Sequence, residues 1–124
     1  GGVRLGTAEI YTEVERFKEV KESIVVGQSW DNDVRIILFI VMNTKFYLTE
    51  DLLKKIKFRI KKNASPRHVP SKIIQVKDIP RTKSGKIVEL AVKNILDGNN
   101  IKNKEALANP EALKQFKNLK ELSN

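Results

Sequence analysis

The stretch Ser23-Ile24-Val25-Val26-Gly27-Gln28-Ser29-Trp30-Asp31-Asn32-Asp33-Val34-Arg35-Ile36-Ile37-Leu38-Phe39-Ile40-Val41-Met42 decides the fold. Ser23 to Gln28 reads as a short buried strand around Ile24-Val25-Val26. Trp30-Asp31-Asn32-Asp33 is turn chemistry, because Asp and Asn tolerate the backbone angles a tight reversal needs. Val34 to Met42 is the most apolar stretch and is rich in β-branched residues, which predicts a central strand. Two adjacent strands joined by a turn predict an antiparallel pair.

Working outward, Thr7 is placed to cap a helix, with Glu9 in its first turn and Ile10, Val14 and Phe17 at helical spacing. On the other side, Thr49 starts a second helix with Glu50 and Asp51 in its first turn. Leu52, Leu53, Ile56 and Ile60 form its apolar stripe. Asn63 to Pro70 breaks this helix, since Pro66 and Pro70 bias their predecessors toward extended backbone. Lys72 to Lys77 alternates and predicts a third strand, followed by a loop over Asp78 to Lys86. Ile87 to Leu96 predicts a short helix closed by Gly98. Asn99 to Asn109 is polar and reads as a linker. Asn109-Pro110 then opens a last helix carrying Leu113, Phe116 and Leu119. The sum is an α+β fold: a small three-stranded, largely antiparallel sheet packed with helices.

The 124 residues suit one domain, and 40% hydrophobic content is enough for a modest core. No cysteine is present, which excludes disulfides, thiolate zinc sites and cysteine nucleophiles. The single histidine, His68, excludes multi-histidine metal sites and confines any Ser–His chemistry to one place. Framed by Pro66 and Pro70, it reads as structural or surface. The longest apolar run, Ile36 to Met42, is far too short to cross a bilayer, and the start has no secretory signal pattern. A chain opening Gly1-Gly2-Val3 without Met is expected to be a piece of a larger protein. The 24 Lys and Arg against 15 Asp and Glu give a net charge of +9, so an anionic partner is expected. Nucleic acid, a membrane surface and nucleotide or coenzyme phosphates all fit that charge.

Three clusters localise the question. Pro80-Arg81-Thr82-Lys83-Ser84-Gly85-Lys86 combines a tight turn with a lysine at a predicted helix start, where backbone N–H groups and a mobile ammonium favour an anion. A solvated basic turn has the same composition. It is not a Walker A loop, which needs Gly at the place of Pro80 and Ser or Thr at that of Ile87. Gly1-Gly2-Val3-Arg4-Leu5-Gly6-Thr7 offers close backbone approach and a bidentate arginine, or else an ordinary chain end. Lys54, Lys57 and Lys61 stack along one side of the second helix, as a binding face or a solvated one. A small basic nucleic-acid-binding module is the alternative reading, although the aromatics (6%) form no stacking platform in sequence.

In kind and order these segments resemble the C-terminal domain of the adenylate-forming superfamily, which includes acyl-CoA synthetases, peptide-synthetase adenylation domains and luciferases. Gly2 to Ile10 is similar to the superfamily's post-hinge motif, Gly-x-Arg-Ile/Leu followed by a Glu that opens the helix. Pro80 to Ile87 is similar to its final motif, Pro-x-Thr-x-Ser-Gly-Lys. Arg4 to Tyr11, Ser65 to Pro70 and Ala106 to Leu113 narrow the resemblance to one of the acyl-CoA synthetases. The acetyl- and propionyl-CoA synthetases share the first stretch but resemble the tail less.

The resemblance implies an ATP- and magnesium-dependent activation of a carboxylate to an acyl-adenylate, followed by transfer to coenzyme A. It implies that Lys86 is the catalytic lysine of the first step and that Arg4 contacts nucleotide phosphate. Gly2 corresponds to the glycine lining the pantetheine tunnel, and Gly1 to the adjacent coenzyme-contacting position. Lys61 stands where acetyl-CoA synthetases have an arginine that meets a coenzyme phosphate. It further implies a mobile C-terminal domain over 1–98 and a C-terminal extension over 99–124. The expected partners are the N-terminal domain of the same enzyme and small-molecule substrates, with neither nucleic acid nor membrane. That N-terminal domain would hold ATP, Mg2+ and the acyl group, and the expected compartment is the cytoplasm.

Overall fold

A computed structural model describes residues 7–85, 87–99, 107–117, 119 and 122. The chain runs α1 (Ala8–Glu15), β1 (Val20–Trp30), β2 (Asp33–Met42), α2 (Glu50–Asn63), a 3-10 turn (Pro66–His68), β3 (Lys72–Gln75), α3 (Glu89–Leu96) and a C-terminal 3-10 helix (Pro110–Phe116).

β1 and β2 form the predicted hairpin, in antiparallel register from Val20↔Met42 to Trp30↔Asp33. Its turn residues, Asp31 (φ 49°) and Asn32 (φ 62°), are both left-handed, the geometry that matches the twist of the flanking strands. β3 lies on the other side of β2 and runs parallel to it, Ile37↔Lys72 through Ile40↔Gln75. The physical reason is the α2 crossover, since a strand that returns through a helix can re-enter parallel to the first. Antiparallel pairing still dominates, with ten register pairs against four.

Both faces of the sheet are covered. Ile10 and Val14 of α1 and Leu52, Ile56 and Ile60 of α2 pack on Val25, Leu38 and Ile40. Val92 of α3 and Phe116 pack on Ile24, Val26, Ile37 and Phe39 on the opposite face. Phe116 meets Phe39 edge to face, with ring centroids 4.8 Å apart. A central strand buried on both sides needs apolar side chains in both directions, which is why β2 reads as a continuous apolar run rather than an alternation.

The element ends differ from expectation in informative ways. Thr49 caps α2 by accepting from the Leu52 N–H at 3.1 Å, but Thr7 makes no capping hydrogen bond with its side chain. α1 stops at Glu15, so Phe17 lies beyond it. α3 begins at Glu89 rather than Ile87, because Ile87 is held in an antiparallel bridge with Arg81. The last helix takes the 3-10 form over Pro110–Phe116. Of the expected linker, 100–106 lie outside the described residues, while Leu107 is buried and Asn109 is half-buried. Among the described residues, no helix is long and apolar enough to cross a membrane.

Candidate active-site loop

The segment from Pro80 to Gly85 emerges from the α3 side of the sheet, just after the fully buried Ile79. It is a small hairpin rather than an open loop. Arg81 bridges Ile87, and the Val88 N–H donates to the Pro80 carbonyl at 3.1 Å. The reversal is closed by the Gly85 N–H donating to the Thr82 carbonyl at 2.9 Å. Gly85 has φ +89°, a conformation L side chains rarely adopt, so the glycine is required by the turn and not by crowding: a Cβ there would meet nothing within 4 Å. The Thr82 and Ser84 hydroxyls are 2.9 Å apart, and Lys83 is exposed at the tip.

Three further groups tie this hairpin down. Arg81 forms an ion pair with Glu22 of β1 and donates to the Gly85 carbonyl at 3.0 Å, which spans the turn from base to tip. Leu107 bridges Thr82, and the Ala108 N–H donates to the Arg81 carbonyl at 2.8 Å. The Asn109 Oδ1 accepts from the Arg81 N–H at 2.8 Å, while its Nδ2 donates to the Asp78 Oδ2 at 2.8 Å and the Ile79 carbonyl at 2.9 Å.

The expected site residues fall as follows. Lys86, Arg4, Gly1 and Gly2 lie outside the described residues. Lys61 is exposed in the last turn of α2. α2 packs on one face of the sheet and the residues flanking the hairpin, Ile79 and Ile87, on the other, so Lys61 and the hairpin are not brought together. A depression of 420 Å³ opens between Phe17 and Phe58 beside Lys54, Lys55 and Arg59, away from the hairpin. His68 does not face it either; its Nδ1 is 2.6 Å from the Ser65 hydroxyl and its Nε2 4.0 Å from Glu9.

The sequence reading quoted Arg81 only as part of the basic cluster, gave Asn109 only a capping place, and gave Gln115 no role. The only sequence signal for Asn109 was its place before Pro110, which suggested a cap. Its side chain makes no cap bond and reaches instead to residues 28 to 31 positions away.

Residues 9–86 match the family model described as the AMP-binding enzyme C-terminal domain. The whole chain is 60% identical to acetoacetyl-coenzyme A synthetase of Rhizobium meliloti (strain 1021), covering 19% of that protein. It is 47% identical over 99% of its length to acetoacetyl-CoA synthetase of Xenopus tropicalis, covering 18% of that protein. The solved acetoacetyl-CoA synthetase of Streptomyces lividans superposes with a TM-score of 0.83 at 38% identity, over 92% of this chain and 18% of that one. The chain thus spans about a fifth of the length of these relatives. With the family match covering more than half of its residues and the whole-chain likeness beside it, this chain belongs to the AMP-binding enzyme C-terminal domain family.

Proposed function

We propose that the chain is the C-terminal domain of an acetoacetyl-CoA synthetase, joining acetoacetate to coenzyme A at the expense of ATP, with AMP and diphosphate released. The observation that carries this reading is the 60% identity extending over the entire chain rather than over one motif. The hairpin geometry supports it: the turn that leads to Lys86 is held from both sides, as a loop presenting one charged group at a fixed place requires.

In this reading Lys86 acts in the adenylation step. Its ammonium stands between the attacking acetoacetate carboxylate and the α-phosphate of ATP, brings two anions together and offsets the charge that grows in the transition state. A guanidinium is a broad planar fork and does not replace a compact ammonium between two oxygens. Arg4 contacts nucleotide phosphate. After rotation of the domain, a rigid-body switch about a hinge, Gly1 and Gly2 line the coenzyme A channel and Lys61 meets a coenzyme phosphate. ATP and Mg2+ are assigned mainly to the N-terminal domain. The acidic groups beside the hairpin, Glu22 and Asp78, are engaged by Arg81 and Asn109 and do not form a vacant carboxylate pair for Mg2+. The cytoplasmic setting and the division into 1–98 and 99–124 belong to the same reading.

The test uses the full-length enzyme carrying this domain. Lys86→Ala is expected to lower acetoacetate-dependent pyrophosphate exchange by at least about a hundredfold, the scale of one lost electrostatic contact in a transition state. Thioester formation from supplied acyl-adenylate should stay near wild type. Equal loss of both half-reactions would remove the one-step role of Lys86. Absence of acetoacetate-dependent exchange in the wild-type enzyme would overturn the assignment itself.

A further inference from the structure

The hairpin is gripped by a part of the chain well beyond it. The Asn109 amide makes three hydrogen bonds, all to the limb that climbs toward the turn: Asp78 Oδ2, the Ile79 carbonyl and the Arg81 N–H. Both of its N–H donors are used, so the side chain has one orientation that satisfies it. Gln115 repeats the pattern one step earlier. Its Oε1 accepts from the Lys77 N–H at 2.7 Å, and its Nε2 donates to the carbonyls of Asp78 at 2.5 Å and Ala112 at 3.0 Å. Both residues sit on a segment that is anchored in the core through Leu113 and Phe116. The backbone of Lys77, Asp78, Ile79 and Arg81 is therefore bonded side chain by side chain to a buried support.

We infer that Asn109 and Gln115 are positioning residues for adenylation: the 107–116 segment acts as a clamp that fixes the register of the hairpin delivering Lys86. The inference rests on the reading that Lys86 serves adenylation. Neither amide touches a reactant; each acts through the loop backbone. Amides suit this task because each presents a donor and an acceptor to an exposed peptide backbone and carries no charge to compete with Lys86 for the same anions. Asn109→Asp keeps the acceptor for Arg81 but loses both donors and turns a carboxylate toward Asp78. It should therefore behave like Asn109→Ala and not like a conservative change.

The experiment compares Asn109→Ala, Gln115→Ala and Lys86→Ala in the full-length enzyme, with both half-reactions measured. Asn109→Ala is expected to lower kcat of pyrophosphate exchange by about tenfold or more, the cost of misplacing one catalytic group by a fraction of its reach. Gln115→Ala, bonded further from the turn, should lose less. Thioester formation from supplied acyl-adenylate should remain within about twofold in both, a split that a merely structural role does not produce. Hydrogen exchange of the 77–88 peptide in the folded enzyme should accelerate in Asn109→Ala, because the Arg81 amide loses its acceptor. If Lys86→Ala abolishes exchange while Asn109→Ala and Gln115→Ala retain it, the clamp is overturned and the function stands. If both half-reactions fall together in both variants, the amides are structural and the clamp is again overturned. If Lys86→Ala itself retains adenylation, the parent reading fails, and the clamp with it.

Discussion

Among the described residues, Tyr11 is a side chain whose ionisation responds strongly to the fold. Its hydroxyl accepts from the Val25 N–H at 2.8 Å, on the outer edge of β1. Burial raises its pKa well above the ordinary value of 10.0, and the Glu89 and Glu15 carboxylates push the same way, against the opposing Val25 hydrogen bond. The sign of the linkage follows. Above about pH 10 the unfolded chain ionises its phenol while the folded chain keeps the proton, so unfolding releases protons and stability falls as pH rises. Urea denaturation between pH 9 and 11 should therefore show an alkaline decline that Tyr11→Phe makes shallower. At neutral pH the same variant should lose about 1–2 kcal/mol, since it strands an edge amide that the hydroxyl had satisfied. An unchanged alkaline slope would remove Tyr11 as its source.

The strand edge shows how elements are joined. β1 is an edge strand, and an open edge invites pairing with other chains. Side chains of α1, of α3 and of Asp97 just beyond it occupy that edge. Besides Tyr11 at Val25, the Lys93 ammonium donates to the Gly27 carbonyl at 2.9 Å, and Asp97 Oδ1 accepts from the Ser29 N–H at 2.9 Å. Burial works against ionised Asp97, but hydrogen bonds from Lys93 and Ser29 outweigh it and hold the carboxyl below its usual range. The unfolded chain thus binds the proton first as pH falls, and the stability from this latch is present above about pH 4 and lost below it. Asp97→Asn should flatten the acid limb of a stability–pH curve below pH 4. An identical acid limb in the variant would show the latch to be energetically idle. The edge also explains what the sequence displayed and what it hid. β2, buried on both faces, was visible as an unbroken apolar run, and the Asp31-Asn32 turn as two residues tolerant of positive φ. β1 was expected to span only Ser23 to Gln28 but runs from Val20 to Trp30, because its outer residues Lys21, Glu22 and Ser29 are polar and blur the pattern. The tight turn at Gly85 was legible because it needs glycine at one place, whereas the Arg81–Ile87 pairing that makes the expected loop a hairpin was not. The clamp was not, because Asn109 and Gln115 find partners set by tertiary packing, which no local spacing encodes.

At the scale of the whole molecule the sheet separates two surfaces. One carries the hairpin beside α3, and the other carries α2 with its basic side. The proposed function has this domain serve two successive reactions by rotating, which needs two functional faces that do not interfere. Lys61, exposed at the end of α2, lies on the face away from the hairpin. Under the proposed function, that arrangement makes the two half-reactions separable by mutation. Lys61→Glu in the full-length enzyme should raise KM for coenzyme A by about three- to tenfold, the scale of one screened phosphate contact at roughly 1 kcal/mol. Lys61→Arg should keep KM near wild type, because the charge is retained and a fork is added. Pyrophosphate exchange should be indifferent to both changes, since coenzyme A takes no part in adenylation. The effect on KM should shrink as ionic strength rises, because an exposed charge acts through a screened field. If Lys61→Glu slows pyrophosphate exchange instead, or leaves KM for coenzyme A unchanged at low salt, the α2 face has no part in coenzyme binding, and the division of labour between the two faces must be drawn elsewhere.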